Sequence, residues 1–411
     1  MNQAKNTSIQ LGIAGIGGYG QEIAELVLNS GKKIDPSVEL AAVCDPKVSS
    51  QPDRAKLLDS KGVALYDSYE AMLRHPGLEA VWLPVPIDLH LSFAKQALGE
   101  GLAVMLEKPV AGTIDEVDEL IAARDAADRP LLVGFQNIYA ADTLPLKRRL
   151  LSGQLGAVRR ATVHGCWPRD CAYFSRAAWA GAMRRGNTWV LDSPVNNAMA
   201  HFINLAAYLL GEDENTSATP THLEAELYRA AEIENYDTAS IRVRFDRAEP
   251  IDLLILLTHA TATQVDAVVE IETDRGGIRW NGRETKISRD GEVSVVPNDT
   301  EIRQRMLKTF ARQARGQFDS DFPASTLESA RVHTTIVNAA SQAALITPIP
   351  RDYITRVPTD AGIVHSIPNI ETVFAHCASN GRMLHESGKF AFTTPAVTID
   401  LRGYSHFAGP A

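Results

Sequence analysis

One stretch near the start of the chain restricts the fold more than any other: Leu11-Gly12-Ile13-Ala14-Gly15-Ile16-Gly17-Gly18-Tyr19-Gly20. Apolar residues from Ile9 to Ala14 read as a short buried strand. The strand ends in Gly15-x-Gly17-x-x-Gly20, and a helical apolar pattern follows at Ile23, Leu26 and Val27. Strand, glycine turn and helix in that order are the context of a dinucleotide fingerprint. The first glycine permits the tight turn. The second lets backbone approach a diphosphate, and the third lets helix and strand pack closely. The diphosphate would rest on the amide end of the helix.

Residues 1–135 continue the alternation. Strands are expected at Val38–Cys44, Val63–Tyr66, Ala80–Leu83, Ala103–Leu106 and Leu131–Phe135. Helices are expected at Gln21–Asn29, Pro52–Ser60, Ser68–Leu73, Leu89–Gly99 and Ile114–Ala127. Such alternation predicts a parallel, doubly wound sheet, with ligands beyond the carboxyl ends of its strands. The residues after each strand are therefore the ones to read for chemistry. After the second comes Asp45, whose carboxylate suits an adenosine ribose and repels a 2′-phosphate. That favours NAD over NADP, and Lys47 weakens the preference. The plainer alternative is that Asp45-Pro46 only opens a turn. After the fourth come Pro84-Val85-Pro86, then Asp88 as an expected helix cap and His90 in the first turn. The His90 side chain reads as structural, with the loop backbone beside the nicotinamide. After the fifth comes Glu107-Lys108-Pro109. Pro109 biases Lys108 to extended backbone. A lysine beside an oxidised nicotinamide feels a like charge and desolvation, which lower its pKa. It could bind a substrate hydroxyl or relay its proton; the alternative is a surface ion pair at a strand end.

These motifs, with Val43-Cys44-Asp45-Pro46 and Val133-Gly134-Phe135-Gln136-Asn137, fall in an order and spacing that resembles the glucose–fructose oxidoreductase/inositol dehydrogenase/rhizopine-catabolism family, Gfo/Idh/MocA. The match is close over residues 9 to about 165 and looser beyond. The resemblance implies a nicotinamide cofactor and a polyol, sugar or sugar-derived substrate. It implies that Lys108 is catalytic and that its peptide to Pro109 is cis. The set expected along the cofactor is Gly15, Gly17, Gly18, Tyr19, Gly20, Asp45, Pro84, His90, Glu107, Lys108 and Gln136.

From residue 136 the pattern changes, and residues 136–411 are expected to form a substrate-binding and oligomerisation domain. A helix is expected at Leu144–Leu151 and a strand at Ala157–Gly165. Between Cys166 and Asn187, Trp167, Arg169, Tyr173, Phe174, Arg176, Trp179, Arg184 and Arg185 interleave aromatic rings with guanidinium groups. Such a lining suits a polar ring-shaped ligand; it equally suits a surface loop with core anchors. Trp167, Tyr173 and Arg176, together with Lys108, Asn197 and His201, are the residues assigned here to substrate. Pro194, capped by Ser193, opens an expected helix that carries Asn197 and His201 four residues apart on one face. The family helix typically carries Asp and His at that spacing, the His taking the hydroxyl proton as hydride leaves. His201 matches and Asn197 departs. An amide orients an imidazole but does not neutralise an imidazolium, so Asp192 is the expected source of that charge. The alternative is a core histidine with another role. Catalysis is thus assigned to Lys108, His201, Asn197 and Asp192, with Lys108 facing His201 across the substrate.

Strands at His222–Ala230, Thr238–Phe245, Ile251–Thr258, Val265–Glu272 and Ile278–Trp280, separated by Gly-rich turns, read as an antiparallel meander. In the family such an open, mostly antiparallel sheet packs on a second subunit, which implies a homodimer or homotetramer. Helices are expected at Ile302–Arg315, Ala324–Ile346 and Ile370–Leu384, and a strand at Ala396–Leu401. The tail from Thr347 could cover the site or extend the interface.

Composition adds exclusions. A net charge of −9 argues against nucleic acid or an anionic membrane as a main partner. No apolar run reaches bilayer-spanning length, and Met1–Ser8 has no apolar signal core; a cytoplasmic protein is expected. Cys44, Cys166, Cys171 and Cys377 have no metal-ligand spacing and read as inert core thiols. No metal is expected. The functional expectation is an NAD(P)-dependent oxidoreductase acting on a secondary alcohol. Two other readings stand beside it: a redox-neutral enzyme that retains NAD and cleaves or interconverts sugars by transient oxidation, and a non-catalytic cofactor sensor. An intact Lys108 argues against the last.

Overall fold

A computed structural model describes residues 8–47, 52–247, 249–298, 300–317 and 323–411. Its contacts divide the chain into two units. The first comprises Met1–Ala111, Glu116–Ala141 and Thr300–Leu327, and the second Gly112–Asp115, Asp142–Asp299 and Glu328–Ala411.

In the first unit, β1 (Ile9–Ala14), β2 (Val38–Cys44), β3 (Ala64–Tyr66), β4 (Ala80–Leu83), β5 (Ala103–Leu106) and β6 (Leu131–Val133) form one parallel sheet. Its order is β3-β2-β1-β4-β5-β6, the doubly wound arrangement whose crevice opens between β1 and β4. Helices α1 (Tyr19–Ser30), α2 (Pro52–Ser60), α3 (Tyr69–Leu73), α4 (His90–Gly99) and α5 (Ile114–Ala127) fall between the strands in sequence. The central strands are apolar and fully buried because helices cover both faces of such a sheet. Asp88 does not cap α4: it lies inside a 3-10 turn, and Leu89 holds the cap position. A later segment joins this unit. Ser325 O accepts from Val133 N on β6 at 2.8 Å, so residues 300–327 cluster with the sheet although they follow the expected boundary after residue 135.

The second unit begins with α6 (Thr143–Leu151), β7 (Val158–Cys166), α7 (Cys171–Ser175), the short pair β8 (Arg184–Arg185) and β9 (Thr188–Trp189), and α8 (Ala200–Leu209). Strands β10 (His222–Arg229), β11 (Thr238–Phe245), β12 (Ile251–Thr258), β13 (Val265–Thr273), β14 (Gly276–Trp280), β15 (Glu284–Arg289) and β16 (Glu292–Pro297) follow. After α9 (Ile302–Ala314) of the first unit come α10 (Leu327–Ala343), β17 (Ile346–Pro348), the hairpin β18 (Thr355–Thr359) and β19 (Gly362–Ser366), α11 (Ile370–Asn380) and β20 (Val397–Asp400).

The large sheet runs β16-β15-β14-β13-β7-β12-β11-β10-β17, with β20 also on β10. It is mostly antiparallel but not the expected meander. β7 enters between β13 and β12 and runs parallel to β12. The β15–β16 turn has positive φ at Asp290 (51°) and Gly291 (88°), which the Asp-Gly pair tolerates. The tail is placed as well: Ile370, Phe374 and Cys377 of α11, with Met383 and Leu384, pack on Cys166, Tyr228, Leu254 and Leu256 of the sheet.

Candidate functional site

The glycine turn behaves as its spacing requires. Gly15 adopts φ 86°, and a side chain there would meet Pro84 O at 3.2 Å. A Cβ on Gly20 would stand 2.0 Å from Gly15 O, so no larger residue lets α1 start this close to β1. Gly17 and Gly18 would meet nothing within 4 Å. Open space over these two glycines, at the amide end of α1, is the cradle a dinucleotide diphosphate needs.

Around that turn the first unit gathers most of the expected cofactor set. Asp45 is buried at the end of β2. Its carboxylate accepts from Ile16 N at 3.0 Å and from Lys47 N at 2.8 Å, which locks the acid beside the glycine loop. Arg54 of α2, which no motif singled out, donates to Ile16 O at 2.7 Å and to Gln21 Oε1. His90 is buried, and its ring nitrogens lie 2.9 Å from Val85 O and 3.0 Å from Val110 O. The imidazole therefore joins the loop after β4 to the segment after β5, the structural role expected of it. Burial holds its pKa below the ordinary histidine value, against the pull of those carbonyls.

Glu107 directly follows β5, with 5% exposure. Trp82 Nε1 donates to it at 3.0 Å and Lys108 N at 3.3 Å. Burial pushes its pKa up to about 6; the Trp82 bond and the Lys108 charge oppose the shift. A Cβ on Gly134 would lie 2.7 Å from both Glu107 oxygens, so the glycine after β6 makes room for this carboxylate. The Lys108–Pro109 peptide is cis, as the resemblance implied, and Lys108 is half-buried. Gln136 follows β6 in a 3-10 turn and accepts from Arg303 Nε at 3.3 Å.

Within the second unit, Asp192 and Asn197 meet directly: Asn197 Nδ2 donates to Asp192 Oδ1 at 2.9 Å, and Gly181 N donates to Asp192 Oδ2 at 2.7 Å. The expected continuous helix does not form. Ser193 caps at 3.1 Å, but Pro194–Ala198 make one π-helical turn, Met199 leaves helical geometry, and α8 begins at Ala200. Asn197 and His201 thus flank a break rather than share consecutive turns of one α-helix. Phe202, beside His201 in sequence, packs edge-on against Trp167 and Trp280.

The aromatic and arginine stretch is an organised cluster. Arg176 lies 3.4 Å from the Tyr173 ring centre and 4.6 Å from that of Trp179; Arg169 lies 4.4 Å from the Tyr173 ring. Beneath it His259, missed in the sequence, bonds Trp167 O at 2.8 Å through Nδ1. Burial, with Arg169 and Arg176 nearby, holds its pKa down to about 3. A cavity of about 340 Å³ opens beside the cluster, lined by Arg169, Phe174, Ile233, Arg356 and His365 among others. Cys171, expected in the core, is exposed at its edge.

Residues 9–135 match the model of an oxidoreductase family with an NAD-binding Rossmann fold, GFO_IDH_MocA. Over these residues the chain is similar to the Gfo/Idh/MocA family. Among its relatives, an inositol 2-dehydrogenase of Streptomyces avermitilis is 31% identical over 175 residues, 42% of this chain and 46% of that protein. A D-glucoside 3-dehydrogenase of Escherichia coli is 28% identical over 205 residues, 50% of this chain and 55% of that protein. The chain spans about half the length of the curated relatives it matches. An inositol dehydrogenase homologue of Azotobacter vinelandii, solved with NADH and myo-inositol, shares the fold at TM-score 0.64 and 17% identity, over 82% of this chain and 96% of that one. Among the described residues, no helix is long and apolar enough to cross a membrane.

Proposed function

We propose that this chain is an NAD(P)-dependent dehydrogenase acting on a secondary alcohol of a sugar, inositol or sugar-derived substrate. The observation that carries the reading is a glycine turn and Glu107-Lys108-Pro109 at the carboxyl ends of two strands of one sheet, in a segment that matches NAD-binding oxidoreductases. The named activities of the inositol and glucoside relatives support the substrate class.

The nicotinamide, when bound, supplies the hydride acceptor. Gly15, Gly17, Gly18 and Gly20 would hold the diphosphate, and Asp45 the adenosine ribose, which favours NAD. Lys108 would donate a hydrogen bond to the reacting hydroxyl and polarise it. His201 would receive the hydroxyl proton. Asp192, bonded by the Asn197 amide, would supply through that amide the negative charge a protonated His201 needs. Trp167, Tyr173 and Arg176 offer faces and donors to a polyhydroxylated ring. Self-association through the large sheet completes the proposal; α11 and the segment after it already cover β7, β12 and β10, so the face left open is that of β13–β16.

The test is turnover with NAD and NADP against a panel of inositols, aldoses and sugar acids, read at the nicotinamide absorbance band. Lys108→Ala and His201→Ala should each lose roughly two to four orders of magnitude in rate while NAD affinity stays near wild type. Near-normal turnover in either variant would remove that residue from the mechanism. Product without accumulating NADH would point to transient oxidation, and cofactor binding with no effect of any sugar would point to a sensor.

A further inference from the structure

Two of the positions expected along the cofactor meet a side chain that no sequence pattern marked. Arg303 stands in the first turn of α9, 281 residues from Glu22 and 167 from Gln136 along the chain. Its guanidinium carbon lies 5.0 Å from the centre of the Tyr19 ring. Its Nη1 donates to Glu22 Oε2 at 2.7 Å and its Nε to Gln136 Oε1 at 3.3 Å. Tyr19 and Glu22 form the first turn of α1, directly after the open glycines, and Gln136 follows the last strand of the same sheet.

The rest of α9 explains how Arg303 is held there. Arg305 donates to Tyr139 O at 2.8 Å, Arg312 to Asp35 O at 3.3 Å, and Arg315 pairs with Glu79. Met306, Leu307 and Phe310 are buried. These contacts fasten the helix along the first unit and present its amino end at the glycine turn. Arg303 itself keeps 41% of its side chain exposed. Its charge lies beside the positive end of the α1 dipole, an arrangement that is unfavourable by itself. The Glu22 carboxylate offsets it in this structure. A diphosphate would offset it better, since phosphate oxygens accept both arms of a guanidinium fork.

We infer that Arg303 binds the diphosphate of the dinucleotide over the amino end of α1, exchanging its bond to Glu22 for phosphate oxygens. The inference rests on the reading of this unit as an NAD site. It makes α9, from the last third of the chain, part of the nucleotide-binding machinery.

The experiment measures NAD and ADP-ribose dissociation constants by calorimetry for wild type, R303A, R303K and R315A, with the ligand-free melting temperature of each. R303A should weaken NAD and ADP-ribose alike by roughly tenfold or more, the scale of one lost charge-assisted bond, with its melting temperature close to wild type. R303K should recover part of the loss, since it keeps the charge without the fork. R315A, altered on the same helix away from the glycine turn, should leave both constants unchanged. R303A binding both ligands within twofold of wild type would overturn the assignment. So would a loss for NAD with none for ADP-ribose, which would move the contact to the nicotinamide. Wild-type protein that binds no NAD would instead sink the cofactor reading on which the inference stands.

Discussion

Glu107 shows how much of the first unit's chemistry is set by one buried carboxylate. Its oxygens are held by Trp82 and by the Lys108 amide, and burial still raises its pKa from 4.5 to about 6. The folded chain therefore binds this proton more tightly than the unfolded one. The penalty is absent below about pH 4.5, grows as pH rises towards 6, and is constant above. Glu107→Gln keeps an acceptor for the indole and removes the titration. Its stability relative to wild type should rise by on the order of 2 kcal/mol between pH 4.5 and 6.5, in urea unfolding at a series of pH values. A difference that stays flat across that range would show that Glu107 does not titrate there. The importance of this position was legible, because a fully apolar buried strand that ends in two adjacent charges must desolvate or pair them, a cost that chemistry at the crevice repays. Its partners were not. Trp82 reads as one more apolar residue of β4, and the space left by Gly134 is visible only once β5 and β6 lie side by side.

At the scale of elements, the turn before α8 explains why residue 197 is an amide here. Asn197 donates to an Asp192 oxygen at 2.9 Å. A carboxylate at 197 would place two like charges in hydrogen-bond contact, and one of them would have to take up a proton. Asn197→Asp should thus destabilise the protein at pH 8 by about 1–3 kcal/mol, with the loss shrinking towards pH 4 as the pair comes to share a proton. Thermal unfolding at both pH values checks it; an equal loss at both would mean that the charge is not the cause. The break at Met199 was invisible because Ser193-Pro194 and the apolar face of residues 203–210 fit an uninterrupted helix equally well. Other misses have the same origin. The amphipathic pattern of α9 shows which face is buried but not that the helix packs in the nucleotide-binding unit. The insertion of β7 between β12 and β13 is a long-range pairing that no local pattern encodes. Strands β1 to β6 were readable because each is a short apolar run bounded by turns, and the parallel order follows from their alternation with helices.

Across the molecule, the C-terminal tail changes what the large sheet can do. β12 is almost wholly apolar, Ile251–Thr258, and buried along nearly its whole length, which requires cover on both faces. One cover is supplied by the chain itself: Phe374, Cys377, Met383 and Leu384 lie in the same buried cluster as Leu254, Leu256 and Tyr228, and β20 adds a strand at β10. Towards β16 the same face turns polar, with Glu272 paired to Arg160 and Glu270 to Arg279, and ends in exposed Val293 and Val295. The subunit interface on this sheet that the resemblance implied has, on this face, only the half towards β16 to use. Removing residues 367–411 should therefore bare Leu254 and Leu256 of β12, Tyr228 of β10 and Cys166 of β7, an apolar patch beside Ser240 and Arg242 of β11, and produce self-association, seen by light scattering at concentrations where the intact chain keeps a single defined mass. Because a truncated chain can fail to fold, Phe374→Ala supplies a second measurement. Loss of a fully buried ring should cost about 3–5 kcal/mol and lower the melting temperature without altering NAD affinity. A truncated protein as stable and as well dispersed as the intact one would show that the tail is not what keeps this sheet covered.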